Sequence, residues 1–299
     1  MERYIDKSIV LELLPKRKRN SHKGTYGKAA IVAGSLEYTG AAYLATAACL
    51  RSGAGYTTLF TPGGILPYYI LKAPEALLRP ICEGDSYAFS SSRMQELLAY
   101  DSVAYGMGMG VSEEVCRGAE WLLRHYTGKL ILDADGLNSL AEYRKADLKS
   151  LFTKKKCDVL ITPHCKEFSR LTNLSTTEIV DAPLQTAMRW SQEYSVGVLL
   201  KNYESVITDG KRSFINRSGN SGQAKGGSGD VLSGVIAGLC AMGASTFEAG
   251  VCAAFLTGVA ADFAVEKIGE YSLTASEVIS YLGRAFLFVT KDTDENGGE

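Results

Sequence analysis

The most constraining feature of this sequence is a short run with no polar residue in it. Ala29-Ala30-Ile31-Val32-Ala33 is apolar throughout and stops at Gly34. A strand with one wet face alternates apolar and polar residues, so an unbroken run describes a strand covered on both sides, as in a parallel sheet. The pattern recurs. Tyr56–Phe60, residues 102–106, Lys129–Leu132, Val159–Thr162, Val198–Lys201, Ser205–Thr208 and Ser213–Asn216 read as further strands. Residues 40–53 read as a small-residue helix that can lie close against a sheet. Ser112-Glu113-Glu114 caps another helix and places two acids where they complement its dipole. Three helices are predicted near the end, over 229–242, 246–267 and 274–289, the last opened by a Thr274…Glu277 capping box. Strand, turn and helix in this order specify a three-layer α/β/α fold, with a central, mostly parallel sheet and helices on both faces.

No period of 20–50 residues repeats and no linker stands out, so residues 1–290 are expected to form one domain. The polar end, 291–299, is expected to be a disordered tail. The chain carries 32 basic and 33 acidic side chains, and this near-neutral balance argues against a nucleic-acid partner. The KRKR run at 16–19 then reads as solvated surface. Seven cysteines contain no C-x-x-C pair, and the histidines at 22, 125 and 164 are scattered, so no zinc cluster follows from spacing. Reduced thiols fit that count. Met1-Glu2-Arg3-Tyr4 does not begin a signal peptide. The apolar stretch Val231–Val265 is interrupted by Glu248 and Asp262, and reads as two buried helices rather than a membrane span. A cytoplasmic protein with no membrane partner is expected.

In an open parallel sheet, ligands bind beyond the carboxyl ends of the strands. Those ends carry Gly34-Ser35, Gly106–Gly110, Asp133-Ala134-Asp135, Thr162-Pro163-His164 and Lys201-Asn202. The most informative segment follows: Gly226-Gly227-Ser228-Gly229-Asp230 leads straight into an apolar helix. Bare N–H groups at a helix start bind phosphate or a developing anion. An aspartate there repels phosphate unless it serves as a base for an attacking hydroxyl. The alternative is a flexible turn with Asp230 as a plain helix cap. Neither G-x-x-x-x-G-K-[ST], G-x-G-x-x-G nor G-x-S-x-G occurs, which disfavours P-loop, dinucleotide-fold and serine-hydrolase readings.

HKGTYGKAAIVAGS, YTGAAYLA, RSGAGY, the GxGxG turn, DADGLN, TPHxxE, KNYES and GNSGQAKGGSGDVLSG occur in this order over about residues 20–290. The set resembles the NAD(P)H-hydrate dehydratases, carbohydrate-kinase-like proteins of ribokinase-type fold. That resemblance implies repair of hydrated NADH or NADPH. The hydrate hydroxyl is phosphorylated by ADP or ATP with Mg²⁺, phosphate leaves, and the double bond returns. It implies Asp230 as the base, with Gly226, Gly227, Ser228 and Gly229 as the anion hole. Ala41, Gly110, His164 and Asp230 would contact the hydrate. Lys201, Asn202, Tyr203, Glu204 and Ser205, with Gly229, would contact the nucleotide, and Glu167 would order water on magnesium. The resemblance further implies a homo-oligomer and a separate NAD(P)HX epimerase as partner.

The chain departs from the family pattern at TPHCKE for TPHPGE, Lys201-Asn202 for Lys-Gly, and GNSGQAKGG for GNPGMATGG. Lys225 thus stands in place of a threonine, either as a charge near the phosphates or as a lysine reaching into solvent. His164 alone would cap a turn, and Asp133, Asp135 and Asn138 would serve metal, substrate or the cap of the following helix. Two other functions remain open: a vitamin-precursor kinase of the same fold, and a nucleotide sensor without turnover.

Overall fold

The computed structural model describes residues 3–291. Nine strands form one sheet: β1 (Lys28–Val32), β2 (Tyr56–Thr61), β3 (Leu77–Pro80), β4 (Ser102–Tyr105), β5 (Lys129–Leu132), β6 (Asp158–Ile161), β7 (Gly197–Leu200), β8 (Ser205–Thr208) and β9 (Ser213–Asn216). Their spatial order is β3-β2-β1-β4-β5-β6-β7-β8-β9. Pairing is parallel from β3 through β7 and antiparallel for β7–β8 and β8–β9. The helices are α1 (Lys7–Leu13), α2 (Thr39–Leu50), α3 (Ser91–Glu96), α4 (Glu113–His125), α5 (Ala134–Tyr143), α6 (Leu148–Thr153), α7 (Cys165–Thr172), α8 (Thr176–Asp181), α9 (Pro183–Tyr194), α10 (Ser228–Ala241), α11 (Thr246–Ser272) and α12 (Ala275–Thr290).

The unbroken apolar runs are explained by two cores. Ala29 and Ile31 of β1, Ala104 of β4 and Ile131 of β5 face α1, α2 and α10–α12. Their neighbours Ala30, Val32, Val103, Tyr105, Leu130 and Leu132 face α3–α9. Side chains alternate between faces, and both faces are covered, so neither tolerates a polar residue. Each Val or Ile so buried contributes about 1.5–3 kcal/mol. Helix α10 comes very close to α2, because a Cβ on Gly234 would lie 2.1 Å from the Ala45 carbonyl oxygen. Any residue but glycine there would force α10 and α2 apart.

Three features depart from expectation. Strand β3 was not foreseen: its Leu-Leu-Arg-Pro sequence is half exposed and ends in proline, as an edge strand can. Helix α11 runs on to Ser272, with non-helical backbone at Gly269. Among the described residues it alone is long and apolar enough to cross a membrane, and 78% of its most apolar window is buried inside the protein. Only half of the Thr274 box forms, the hydroxyl accepting from Glu277 N at 3.3 Å. Arg17 of the basic run stacks on Tyr26 and donates to the Gly53 carbonyl at 2.9 Å. The expected disordered tail falls at Lys291 and on residues 292–299, which lie outside the described residues.

Candidate active site

The sheet reverses its winding between β1 and β4, and the loops beyond these strands meet there, Gly34 N donating to Met107 O at 2.9 Å. A cavity of about 380 Å³ opens at this point, lined by Ser35, Glu37, Tyr38, Met109 and Gly110. A larger groove of about 510 Å³, lined by Pro80, Cys82, Phe89 and Arg93, holds none of the predicted site residues. Ala41 lies in the first turn of α2, where a Cβ on Gly108 would meet its methyl group at 2.7 Å. Gly110 N donates to Asp135 Oδ2 at 2.8 Å. Burial raises the Asp135 carboxyl above its ordinary value, and the nearby Asp133 carboxylate adds to the rise.

Helix α10 starts at the same edge. Its N-cap is Gly227, at φ +96, where a Cβ would also lie 2.6 Å from Leu44. Glycine supplies no side chain to cap the helix; Ser228 N makes a long bond to Lys225 O at 3.5 Å, and no side chain caps the next two N–H groups, which are the ones placed to meet an anion. Asp230 is the third residue of α10 and not its cap, which sets aside the bland reading of that residue.

A cluster of charges faces this helix start. Lys201 leaves β7 with its N–H on Pro163 O at 2.8 Å, and its ammonium reaches Asp133 Oδ1 at 2.9 Å and Glu167 Oε2 at 3.9 Å. The second Asp133 oxygen accepts from Ser233 Oγ of α10 at 2.8 Å. A methyl group placed on Gly229 would sit 3.2 Å from the Lys201 ammonium, so the cation lies against the anion-binding backbone. Burial alone would lower the pKa of Lys201, but Asp133 and Glu167 outweigh it and hold the amine charged. Burial raises the Glu167 carboxyl, against the pull of Lys201. The Asp230 carboxyl is pushed up to about 7, first by burial and then by Asp133, with Lys201 opposing. A carboxyl poised there can hold or release a proton near neutrality.

His164 caps α7 as its sequence position suggested, Nδ1 accepting from Lys166 N and Glu167 N at 3.1 and 3.2 Å. Glu167 Oε2 accepts from His164 N at 2.9 Å. Burial and then Lys201 lower the imidazole pKa, so the ring is neutral at pH 7, with its proton on Nε2. Nε2 lies 3.4 Å from Glu167 Oε1. Both Glu167 oxygens thus have protein neighbours, which fits a water-mediated role toward magnesium better than direct ligation. Among the described residues, no three Asp, Glu, His or Cys side chains converge on one metal position. Magnesium brought by nucleotide phosphates needs no such cage.

The other predicted residues divide. Asn202 N lies 3.5 Å from Ser205 Oγ across the β7–β8 turn, Tyr203 is 96% exposed, and Glu204 pairs with Arg217 at 2.6 Å. These face the solvent side of the edge and not the charge cluster. Lys225 is exposed, and its ammonium donates to Tyr271 O and Leu273 O at 2.6 and 2.7 Å. Asn138 Oδ1 accepts from Arg170 at 2.7 Å. Ser233 was missed altogether. Its one signal is spacing, four residues beyond Gly229 on the same face of α10.

A glycine-started helix, a carboxyl raised by burial and a lysine thus meet at the carboxyl edge of a mostly parallel sheet. Comparison supplies the class. Residues 29–284 match the family model described as NAD(P)H-hydrate dehydratase, and the chain belongs to that family. It is 36% identical over 284 residues to the bifunctional NAD(P)H-hydrate repair enzyme Nnr of Thermofilum pendens, covering 93% of this chain and 53% of that protein. The chain therefore spans about half the length of the bifunctional relatives it matches. It is 31% identical over 269 residues to the ADP-dependent (S)-NAD(P)H-hydrate dehydratase of Streptococcus thermophilus, covering 88% and 91% of the two chains. The crystal structure of the Bacillus subtilis ADP/ATP-dependent NAD(P)H-hydrate dehydratase, co-crystallised with ATP/Mg²⁺, superposes with a TM-score of 0.83. Its identity is 28%, over 96% of this chain and 99% of that one.

Proposed function

We propose that this chain is an ADP-dependent (S)-NAD(P)H-hydrate dehydratase, returning hydrated NADH and NADPH to the reduced cofactors. The observation that carries the reading is Asp230, its carboxyl held at about 7 in the first turn of a helix capped only by glycine. Hydroxide leaves carbon poorly, whereas phosphate leaves readily once neutralised. Asp230 takes the proton from the hydrate hydroxyl, whose oxygen forms a bond to the terminal phosphorus of ADP as the bond to AMP breaks. The N–H groups of the Gly226–Gly229 segment and the Lys201 ammonium hold the transferring oxygens. The new phosphate ester then loses phosphate, and loss of a ring proton restores the double bond. Magnesium bound with the nucleotide would neutralise phosphate charge, and Glu167 would hold its water.

Ala41, Gly110 and His164 are assigned to the hydrate, and Lys201–Ser205 with Gly229 to the nucleotide. The reading extends to one domain over residues 1–290, homo-oligomeric and cytoplasmic, with an NAD(P)HX epimerase as partner. The test is incubation of hydrated NADH with ADP and Mg²⁺, following the return of NADH absorbance. ADP is expected to serve at least as well as ATP. Binding of ADP without any recovery of NADH overturns the reading in favour of a nucleotide sensor.

A further inference from the structure

The segment that leads into Gly226–Ser228 is fastened along one side to α11. Gly219 N and Asn220 Nδ2 each donate to Asp262 at 2.9 Å, and Ser221 Oγ bonds the Glu270 carboxylate. The last fastening is Lys225, whose ammonium bridges Tyr271 O and Leu273 O. These carbonyls lie just past Gly269, where α11 leaves helical geometry at φ +72. Carbonyls at a helix end lack intrahelical donors and carry partial negative charge, so a compact ammonium suits them. Beyond Lys225 the chain has little of its own to hold it. A Cβ on Gly226 would meet nothing within 4 Å, and glycine loses more freedom on ordering than any other residue. Ser228 Oγ closes the turn on Gln223 O at 2.7 Å, inside the fastened segment.

We infer that Lys225 is a positioning residue: by binding the carbonyls that end α11, it holds Gly226–Ser228 in the shape that receives the transferring phosphoryl group. This rests on the dehydratase reading for its consequence in turnover, but not for the fastening itself. A threonine at 225 is too short to reach both carbonyls, whereas an arginine can.

The experiment compares the full chain with Lys225→Thr and Lys225→Arg. Amide hydrogen exchange over residues 219–229 is measured without ligand, alongside kcat and KM for ADP at low and high salt. Exchange in Lys225→Thr should quicken by about tenfold or more in that segment, with the melting temperature little changed. Its kcat should fall about tenfold, KM for ADP moving less than about threefold at either salt, because misplaced donors weaken the transition state more than ground-state binding. Lys225→Arg should recover most of both. Unchanged exchange in Lys225→Thr overturns the inference. So does a loss confined to KM for ADP that grows at low salt, which would put the ammonium on the nucleotide. If the wild type shows no turnover, the dehydratase reading falls by that arm, and hydrogen exchange still decides the fastening.

Discussion

The two edges of the sheet use the same residue types in opposite ways. At the amino-terminal edge each charge meets backbone that needs it. Asp101 accepts from Lys28 N at 2.8 Å, and Asp158 accepts from Thr246 N and Oγ1 at 2.9 and 2.8 Å, fixing the start of α11. Lys129 donates to Cys240 O at 2.9 Å. At the carboxyl edge Asp133, Glu167 and Asp230 act on Lys201, and Asp133 raises the cost of ionising Asp135, Glu167 and Asp230. The first arrangement stitches helices to strands. The second retains repulsion, which a fold selected for stability alone would have no reason to keep, and this repulsion supports the proposal that the charged edge is the active site.

The largest break between the edges should come from Asp230→Asn. Turnover should fall at least ~10²-fold, the scale of a positioned general base, while ADP still binds. In the wild type, kcat/KM should rise with pH through about 7 as the carboxyl ionises. Stability should move the other way. A carboxyl raised from 3.8 to about 7 on folding binds more protons folded than unfolded, so its burial is free at acid pH and costs stability as pH rises through that window. Asp230→Asn should therefore match the wild type below about pH 4 and gain on it up to pH 7, by at most about 4 kcal/mol. Urea unfolding at a series of pH values checks the sign. Wild-type turnover in this variant removes Asp230 from the mechanism.

The two lysines sharpen the contrast. Lys201→Met leaves the buried Asp133 carboxylate without its counter-ion and should destabilise the protein by about 3 kcal/mol. Lys129→Met loses one bond to a carbonyl, which should cost about 1 kcal/mol. Only the first should impair use of ADP. Equal losses in denaturant unfolding would mean that the carboxyl-edge cluster is no more coupled than an ordinary surface contact.

What the sequence made legible divides along physical lines. Strands such as Ala29–Ala33 announce themselves because a doubly covered strand must be apolar at every position. The end of each strand then locates the site edge, and Gly226–Asp230 could be placed on it without coordinates. Partnerships between distant segments were hidden. Ser233 in an apolar helix carries no local mark of its bond to Asp133, which lies 100 residues away in the chain. Lys225 reaches carbonyls whose position depends on α11 ending where it does, 48 residues on. The rise at Asp230 combines burial with the carboxylates of Asp133 and Asp135 at the start of α5 and Glu167 of α7, which only the folded edge brings together. Nor could periodicity reveal Ala134 at φ +48, a left-handed alanine in the Asp133-Ala134-Asp135 turn that costs about 1 kcal/mol or more.

The smallest effects test the edges most finely, through two histidines with the same local duty. His22 Nδ1 accepts from Gly24 N at 3.1 Å, and Thr25 returns a bond to His22 N. His164 caps α7 in the same way, with Glu167 returning the bond. As caps they are equivalent, so His22→Ala and His164→Ala should each cost about 1 kcal/mol or less in urea unfolding. They differ in what the far side of the ring faces. His22 sits before β1 at the stitched edge, whereas Nε2 of His164 lies beside Glu167 at the charged one. His164→Ala should therefore raise KM for the hydrate several-fold, about 1 kcal/mol of lost binding, and His22→Ala should leave it unchanged. Asparagine separates the duties, because its side chain caps a helix well but carries no second ring nitrogen. His164→Asn should recover the stability and not the KM. Recovery of both would make His164 a cap and nothing more, and the hydrate contact would have to be sought among Ala41, Gly110 and the walls of the neighbouring cavity.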